Sequence, residues 1–169
     1  MLNIMEGKTN FDKVQEFNRV MGVETYDRPN ANLFDNQAMI ALRLGLIKEE
    51  LAELEHAVNE KDQIEVLDAL GDLLYVTYGA ADAFGYDINK AFKWIHKSNM
   101  SKVCETEQLA QETVEWYKQE YATGRLTYSD PSYRKDPSGK YFVVFDNDTG
   151  KILKSRDYGP VDLTSLVKS

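Results

Sequence analysis

Cysteine and basic charge are both scarce in this sequence. Cys104 is the single cysteine among 169 residues, so no disulfide can form within the chain, and such cysteine usage is typical of the cytoplasm. The formal net charge of -8 leaves no excess of base for the net basic surface that binds phosphate backbones. We therefore expect no nucleic acid among the partners of this protein.

Long apolar segments are missing as well. The most apolar stretch, Val66 to Ala81, is interrupted by Asp68 and Asp72, and Met1 to Lys8 contain no apolar core of the kind that signal peptides have. We therefore expect no membrane partner and a cytoplasmic location. Hydrophobic residues still make up 43% of the chain, which is enough to form a sizeable core.

Helical periodicity is the main feature of the first two thirds of the chain. Apolar residues recur every three or four positions in five segments, which are separated by turn-forming residues. These segments are Asn10–Met21, Gln37–Asn59, Gln63–Ala83, Ile88–Lys102 and Glu105–Tyr121. The pattern predicts an all-α fold, a helical bundle in a domain of residues 1–123.

The composition changes after Gly124. Pro131, Pro137 and Gly139 mark a polar loop, and the segments KYFVVF and KILKS then flank the turn sequence DNDTG. This order predicts a β-hairpin in a C-terminal appendage of residues 124–169. Since an isolated two-stranded hairpin is marginally stable in water, we expect it to pack on the bundle or on a neighbouring subunit.

Within the predicted third helix, the segment Ile64–Ala81 is apolar apart from three acidic residues. Glu65, Asp68 and Asp72 are three and four positions apart, which places them in one stripe along a helix. The rest of this helix is apolar on all sides, which predicts a buried element. Because buried carboxylates are costly without a compensating charge, we expect a cation at this stripe.

The second helix carries an acidic stripe of its own. Glu50 and Glu53 lie in a stripe that runs from Leu46 to Ala57, beside the face that we predict to be in the core. That predicted core face comprises Leu44, Ile47, Leu51, Leu54 and Val58. A short connection makes the two helices antiparallel neighbours, so their acidic stripes are expected to meet.

The meeting of two acidic stripes predicts a metal site. Oxygen ligands on facing helices suit a hard divalent cation, Mg²⁺ or Mn²⁺, whereas zinc prefers histidine and cysteine. One alternative is a buried ion-pair network in which Arg43, Lys48 or a downstream lysine neutralises the acids. Another is a non-catalytic helical module, whose acidic surface binds a basic partner.

Three motifs resemble those of one enzyme superfamily. EELAE at Glu49–Glu53, DALGDLLY at Asp68–Tyr75 and IHKSNMSK at Ile95–Lys102 are similar to the all-α nucleoside triphosphate pyrophosphohydrolases, the MazG and phosphoribosyl-ATP pyrophosphohydrolase type. The tail, with GKILKS and YGPVDL, resembles a subgroup common in phage. The resemblance implies an enzyme with an all-α bundle that hydrolyses a (d)NTP to the (d)NMP and pyrophosphate with Mg²⁺.

The resemblance also implies a set of metal ligands. The superfamily pattern is Glu-x-x-Glu on one helix and Glu-x-x-Asp on the next, and Glu50 and Glu53 match the first half. Alignment on GDLLY makes Asp72 the aspartate but places Ala69 at the glutamate position. We expect Asp68, which shares the stripe of Asp72, to replace the missing glutamate.

One ambiguity and one catalytic role follow from the same comparison. Glu65-x-x-Asp68 also fits the second motif, with a shorter connection between the helices, so Glu65 is an alternative ligand. In related enzymes the glutamate just before Glu-x-x-Glu is a candidate general base, which here is Glu49. On an ideal helical wheel, Glu49 points away from the stripe of Glu50 and Glu53.

Substrate binding is expected to involve the fourth helix and several aromatic residues. By resemblance, Asn99 and Lys102 face the triphosphate, and Lys97 is either a further phosphate ligand or a cation that complements the helix dipole. The candidates for base and sugar recognition are Phe17, Asn18, Tyr75 and Tyr78. The rival activity within the superfamily is hydrolysis of phosphoribosyl-ATP in histidine biosynthesis.

We further expect a homodimer or a homotetramer. The resemblance implies active sites that are lined partly by a neighbouring subunit. The sequence agrees, because the third helix has more apolar surface than the short first helix and the fourth helix can cover. The tail is expected to close over a site as a lid that bears Lys151 or Lys154.

Overall fold

The computed structural model describes residues 7–26 and 28–168, and most of them are helical. The all-α class with a small antiparallel hairpin near the C-terminus is confirmed. The α-helices are α1 (Asn10–Val20), α2 (Gln37–Glu60), α3 (Gln63–Phe84), α4 (Ile88–Met100), α5 (Glu107–Ala122) and α6 (Thr164–Val167), and the strands are β1 (Pro131–Lys135) and β2 (Phe142–Asp146). None of these helices is long and apolar enough to span a bilayer.

The connection between α2 and α3 is only two residues long, and it makes the pair an antiparallel hairpin. Lys61 ends α2 in the left-handed conformation, with φ 60°. Asp62 then begins α3, because its carboxylate accepts hydrogen bonds from the backbone N–H groups of Ile64 and Glu65 at 2.9 and 3.2 Å. The two acidic stripes of the sequence therefore lie on neighbouring helices.

Contacts between Cα atoms divide the chain into two compact units. The first comprises the described residues up to Ala91 together with those from Leu163 onward, and the second comprises Phe92–Asp162. The boundary that we predict near residue 123 falls within the second unit.

The first unit is held together by α1, α2 and α3. Helix α1 begins at a capping box, in which Thr9 and Asp12 each accept a hydrogen bond from the other's backbone N–H. It packs on α3 through Val14, which is buried, and through the ring pair Phe11 and Tyr78, whose centroids are 6.2 Å apart. These contacts fix α1 against the C-terminal half of α3.

The burial of α2 differs from our prediction. The buried residues of this helix are Arg43 and Ala57, whereas Leu44, Leu51 and Val58 of the predicted core face are exposed. Ala57 is therefore the buried member of the stripe that carries Glu50 and Glu53. Its backbone oxygen accepts a hydrogen bond from the N–H of Asp62 at 3.0 Å, in the short connection to α3.

The prediction of a fully buried third helix is wrong for the single chain. Only Ala69 and the segment from Gly79 to Ala83 are buried, while Ile64, Leu67 and Leu74 are 78%, 73% and 57% exposed. Helix α1 contacts α3 at Tyr75, Tyr78 and Gly79, which lie in its second half, whereas the exposed Ile64 and Leu67 lie in its first half. An apolar surface of this kind on a helix usually marks an interaction site.

The second unit has its own core between α5 and the hairpin. Its buried members are Cys104, Ala110, Val114, Tyr117, Val144 and Leu153. The segment before α5 is tied to β2 by two backbone hydrogen bonds between Cys104 and Phe142, at 2.8 and 2.9 Å. The hairpin strands pack on α5, and the expected packing on the bundle or on a neighbouring subunit stays a prediction.

The pairing of the hairpin strands differs from our prediction. The YFVVF segment forms β2, but its partner is β1 on its N-terminal side, with Tyr133 opposite Val144 at the centre. The predicted partner KILKS contributes one isolated bridge, between Phe145 and Ile152. The hairpin turn therefore lies at residues 136–141 and not in DNDTG.

Asp136 explains why the turn forms there. Its carboxylate accepts hydrogen bonds from the hydroxyl of Ser138 and from the backbone N–H of Tyr141, and these bonds lower the pKa of Asp136 to about 2. Gly139 supplies the positive φ, 74°, that the chain reversal requires. The sequence Asp-Pro-Ser-Gly, which contains Pro137, is thus the turn, and Pro131 is the first residue of β1.

Candidate functional site

The acidic stripes of α2 and α3 meet across the helical hairpin. Burial raises the pKa of Glu50, and the charges of Glu53, Asp72, Glu49 and Asp68 raise it further, in that order. These five carboxylates therefore lie close enough to repel one another, and they come from both helices. The four predicted metal ligands and the predicted base thus belong to one electrostatic cluster around Glu50, and their roles stay predictions.

Among the described residues, no basic side chain neutralises this cluster. Within the described ranges, no salt bridge or side-chain hydrogen bond joins Glu50, Glu53, Asp68 or Asp72 to a lysine, arginine or histidine. The ion-pair alternative of the sequence analysis is therefore absent from this part of the chain. Glu50 is half-buried, whereas Glu53, Asp68 and Asp72 are exposed, so the cost that a cation would relieve here is the mutual repulsion of the carboxylates and not their burial.

The donor set fits a hard divalent cation. Every group in the cluster is a carboxylate, and such oxygen ligands suit Mg²⁺ or Mn²⁺. Among the residues that the structure describes, no three His, Cys, Asp or Glu side chains converge closely enough to hold a metal ion. Mutual repulsion, which is evident in the raised pKa of Glu50, opposes such convergence. The four-residue ligand set stays a prediction.

A cavity of about 700 Å³ opens beside the cluster, at the closed end of the helical hairpin. Its lining includes Glu49, Glu53, Glu65 and Asp68, together with His56. Glu49 thus shares a cavity with Glu53, although the ideal helical wheel separates it from the stripe of Glu50 and Glu53. The cavity leaves room for a substrate next to the predicted base.

The sequence analysis missed three polar residues of this cavity. His56 and Glu60 line it on α2, and Asp62 lines it at the start of α3. The sequence pattern could have indicated His56 and Glu60, because Glu49, Glu53, His56 and Glu60 have the spacing of one helical stripe. The acidic stripe that we predict runs from Leu46 to Ala57 and shares Glu53 with this one.

The two tyrosine candidates, Tyr75 and Tyr78, lie further along α3, toward its C-terminal end. Tyr75 is 40% exposed and packs edge-on against Phe17 of α1, with ring centroids 5.6 Å apart. Burial raises the pKa of Tyr75 above its ordinary value. Asn18 is instead buried, and its side-chain amide donates to Asp82 at 2.7 Å.

The predicted phosphate ligands belong to the second unit. Lys102 Nζ donates to Asn99 Oδ1 at 2.7 Å, so these two residues form a local pair at the end of α4. Lys97 is exposed and lines a cavity of about 350 Å³ with Trp94 and Ser98. The role of all three toward a substrate stays a prediction.

The basic residues of the predicted lid have aromatic partners within the second unit. Lys151 Nζ donates to the hydroxyl of Tyr128 at 2.7 Å, and the ammonium of Lys154 lies 4.5 Å from the centroid of the Tyr158 ring. Both lysines are exposed. Their closure over a site stays a prediction.

Comparison with known proteins identifies the family. The family model of phosphoribosyl-ATP pyrophosphohydrolase matches residues 14–99, which contain α2, α3 and the acidic cluster. An uncharacterized protein of Acanthamoeba polyphaga mimivirus is 27% identical, over 96% of this chain and 97% of that relative. The match supports a nucleotide pyrophosphohydrolase type of activity and confirms the resemblance of the sequence motifs. This chain belongs to the phosphoribosyl-ATP pyrophosphohydrolase family, within the MazG-like superfamily of nucleoside triphosphate pyrophosphohydrolases.

Proposed function

We propose that this protein is a Mg²⁺-dependent pyrophosphohydrolase that converts a (d)NTP to the (d)NMP and pyrophosphate. The observation that carries the proposal is the acidic cluster around Glu50, which has carboxylates from both helices and no base among its described neighbours. Family membership supports the reaction type.

The cluster suits the needs of this reaction. Glu50, Glu53, Asp68 and Asp72 would hold Mg²⁺, with Mn²⁺ as a substitute. When bound, the ion offsets negative charge on the phosphates and acidifies coordinated water. The carboxylates themselves bind no triphosphate, because they would repel it; the substrate is expected to enter together with the cation.

Glu49 is the proposed general base. In the reaction, the oxygen of a water molecule bonds to the α-phosphorus, and the bond from that phosphorus to the bridging oxygen breaks as pyrophosphate leaves. The proton of the water passes to the carboxylate of Glu49, which lines the cavity beside Glu53. The products are the monophosphate and pyrophosphate.

The remaining substrate contacts are assigned by chemistry. Lys97, Asn99 and Lys102 supply donors for the phosphate oxygens, and the ring of Tyr75 supplies an apolar surface for the nucleoside. Tyr75 lies one turn after Asp72 on α3, so a nucleoside that stacks on it is adjacent to phosphates held at the cluster.

We also propose that the protein is a homodimer or a homotetramer. The exposed apolar residues of α2 and α3 support this proposal, since Leu44, Leu51, Leu67 and Leu74 leave a long apolar surface on the single chain. A second copy that pairs the same helices covers this surface by symmetry.

A pyrophosphate-release screen tests the function. The common ribo- and deoxyribonucleotides and phosphoribosyl-ATP are incubated with the protein in Mg²⁺ and in EDTA. We expect Mg²⁺-dependent release from at least one nucleoside triphosphate, and a loss of kcat of roughly a hundredfold or more in Glu49→Gln. The matched control is Glu55→Gln, at a glutamate of α2 outside the cavity.

The family description favours one alternative substrate. If phosphoribosyl-ATP alone is hydrolysed, the protein acts in histidine biosynthesis and the proposal for simple nucleotides is wrong. If no nucleotide is hydrolysed with Mg²⁺ or with Mn²⁺, the acidic helices act as a non-catalytic module that binds a basic partner.

A further inference from the structure

A cavity of about 370 Å³ lies within the second unit and differs in charge from the acidic cavity of the first. Its lining includes two cations, two half-buried aromatic rings and no carboxylate. We call it the Trp116 cavity, and its lining residues are Trp116, Tyr117, Lys154, Ser155, Arg156 and Tyr158. Two other cavities of this unit are different, because Asp162 lines one of them and Glu105 and Asp157 line the other.

The walls of the Trp116 cavity are joined by hydrogen bonds. The hydroxyl of Tyr117 on α5 accepts a hydrogen bond from the backbone N–H of Lys154 at 3.1 Å and donates one to the carbonyl oxygen of the same residue at 3.2 Å. The hydroxyl of Thr113, also on α5, accepts from the backbone N–H of Arg156 at 3.3 Å. The backbone of both cationic residues is therefore fixed against α5, and the cavity is formed before any ligand binds.

In the described part of the chain, the two cations of this cavity have no anionic partner. No salt bridge joins Lys154 or Arg156 to a carboxylate there. The ammonium of Lys154 lies over the ring of Tyr158, a contact that leaves its N–H groups available as donors. Both cationic side chains are exposed, so an anion can reach them without a change of the fold.

A buried hydroxyl adds a directional donor to the cavity. Ser155 is only 3% exposed, and its hydroxyl accepts a hydrogen bond from the backbone N–H of Asp157 at 3.2 Å. Among the described residues this hydroxyl donates to no acceptor, so its proton is available to a ligand. Cationic side chains and hydroxyl groups are the donors with which proteins bind phosphate oxygens.

Charge, rings and volume define the class of ligand. A phosphate monoester carries about 1.5 to 2 negative charges at pH 7, which two cations match. A triphosphate carries more charge, and this cavity has no carboxylate to hold the metal ion that would offset it. The half-buried ring of Trp116 is a surface on which a planar ring can stack. The volume lies near the lower end of the range for small-molecule sites, about 300 to 1,000 Å³.

We propose that the Trp116 cavity binds a nucleoside monophosphate. Its phosphate accepts hydrogen bonds from Lys154, Ser155 and Arg156, and its base stacks on Trp116. The site needs no metal ion and belongs to the second unit, whereas the acidic cluster belongs to the first. The inference stands independently of the proposed function, although the (d)NMP formed in that reaction is a ligand of this class.

Binding measured by calorimetry in EDTA tests this site without turnover. EDTA removes the metal ion without which the acidic cluster repels a nucleotide, so the remaining binding reports on the Trp116 cavity. The titrants are dAMP, dGMP, dCMP and dTMP, their nucleosides, inorganic phosphate and phosphotyrosine. We expect at least one monophosphate to bind more tightly than its nucleoside and than inorganic phosphate, on the order of tenfold, because it alone contacts both the cations and the ring.

A pair of variants assigns the phosphate contact. Arg156→Gln should weaken monophosphate binding on the order of tenfold. The control Lys118→Gln removes an exposed cation of α5 that does not line the cavity, and it should keep wild-type affinity. Both variants should melt like the wild type, since both side chains are exposed.

Tryptophan fluorescence assigns the ring contact. The chain has two tryptophans, so Trp94→Phe leaves Trp116 as the single reporter and Trp116→Phe leaves Trp94. A stacked base should quench the fluorescence of the wild type and of Trp94→Phe, and it should leave that of Trp116→Phe unchanged.

Four results would overturn the inference. They are no monophosphate binding at millimolar concentration, equal affinity for inorganic phosphate, unchanged affinity in Arg156→Gln, and quenching that persists in Trp116→Phe. Tighter binding of phosphotyrosine than of every mononucleotide would also overturn it and would assign the cavity to phosphorylated peptides. Since binding is measured in EDTA, a failure of pyrophosphate release contradicts the proposed function alone, and a failure of binding contradicts this inference alone.

Discussion

The charge of Asp72 on α3 acts on Glu50 of α2 across the helical hairpin and helps to raise the pKa of Glu50. Burial is the largest cause, followed by the charges of Glu53 and Asp72. Packing of the two helices thus concentrates negative charge at a partly desolvated place. A cation that binds there is stabilised by the same repulsion that it relieves.

The raised pKa of Glu50 predicts a pH-dependent cost to stability. An ionised carboxyl whose folded pKa lies above the unfolded value destabilises the fold at neutral pH, and the penalty disappears as pH falls through the folded pKa toward 4.5. Glu50→Gln should therefore melt higher than the wild type at pH 7 without metal, and the difference should shrink in acid. Calorimetry from pH 4 to pH 8 measures this.

The control for that experiment is Glu55→Gln, which removes the same charge from the same helix outside the cluster. It should change the melting temperature little at any of these pH values. Addition of Mg²⁺ should stabilise the wild type more than Glu50→Gln, by mass action. A Glu50→Gln variant that melts below the wild type at every pH would contradict the repulsion.

The choice between Asp68 and Glu65 as the fourth ligand is decided by a pair of variants. Both residues line the cavity beside Glu53, but only Asp68 also contributes to the raised pKa of Glu50. Asp68→Asn should therefore lower kcat/KM by roughly a hundredfold, whereas Glu65→Gln should lower it less than tenfold. The reverse order of effects would assign the position to Glu65.

The apolar surface of α3 predicts an oligomer. Leu67 is among the most exposed leucines of the chain, and a charge placed there would have to be desolvated in a subunit interface. Leu67→Glu should dissociate the protein to a 19.4 kDa particle in light scattering, whereas the wild type should be at least twice that mass. Lys118→Glu, at an exposed position of α5, is the control and should leave the mass of the assembly unchanged.

A wild-type particle of 19.4 kDa at micromolar concentration that is still active would refute the oligomer.

Helix boundaries and capping could be read from the sequence because they depend on local chemistry. Asp62 accepts hydrogen bonds at the start of α3 and Gly85 ends that helix with φ 74°, as the residue types predict. The acidic cluster was also predictable, since the spacing of Glu50, Glu53, Asp68 and Asp72 places them on facing stripes.

The packing faces could not be predicted in the same way. Apolar periodicity identifies a helix face that avoids water but does not identify the element that covers it. The pattern therefore places the predicted core face of α2 in the core of the chain, although its leucines Leu44 and Leu51 are exposed. The buried link from Asp82 to Asn18 joins residues 64 positions apart, and no local pattern announces it. The strand partner of β2 is not predicted correctly, because the segment at Asp136 and the segment DNDTG both consist of turn-forming residues.

Gly85 makes the most specific stability prediction of the fold. A Cβ atom at this position would lie 2.0 Å from the backbone oxygen of Arg28, and φ is 74°. Gly85→Ala should therefore lower the melting temperature by several degrees. Gly45→Ala is the matched control, because nothing lies within 4 Å of its Cβ and alanine favours the helix. Equal melting temperatures for the two variants would contradict the packing at Gly85.

The central claim is that the cluster of Glu50, Glu53, Asp68 and Asp72 binds Mg²⁺ for pyrophosphate release from a nucleoside triphosphate. The most direct test measures pyrophosphate and monophosphate formed by the wild type and by Asp72→Asn, each in millimolar Mg²⁺ and in EDTA. The account predicts stoichiometric products for the wild type in Mg²⁺, none above background in EDTA, and a loss of roughly a hundredfold or more in Asp72→Asn with its fold intact. Full turnover in EDTA, or wild-type turnover by Asp72→Asn, would contradict it.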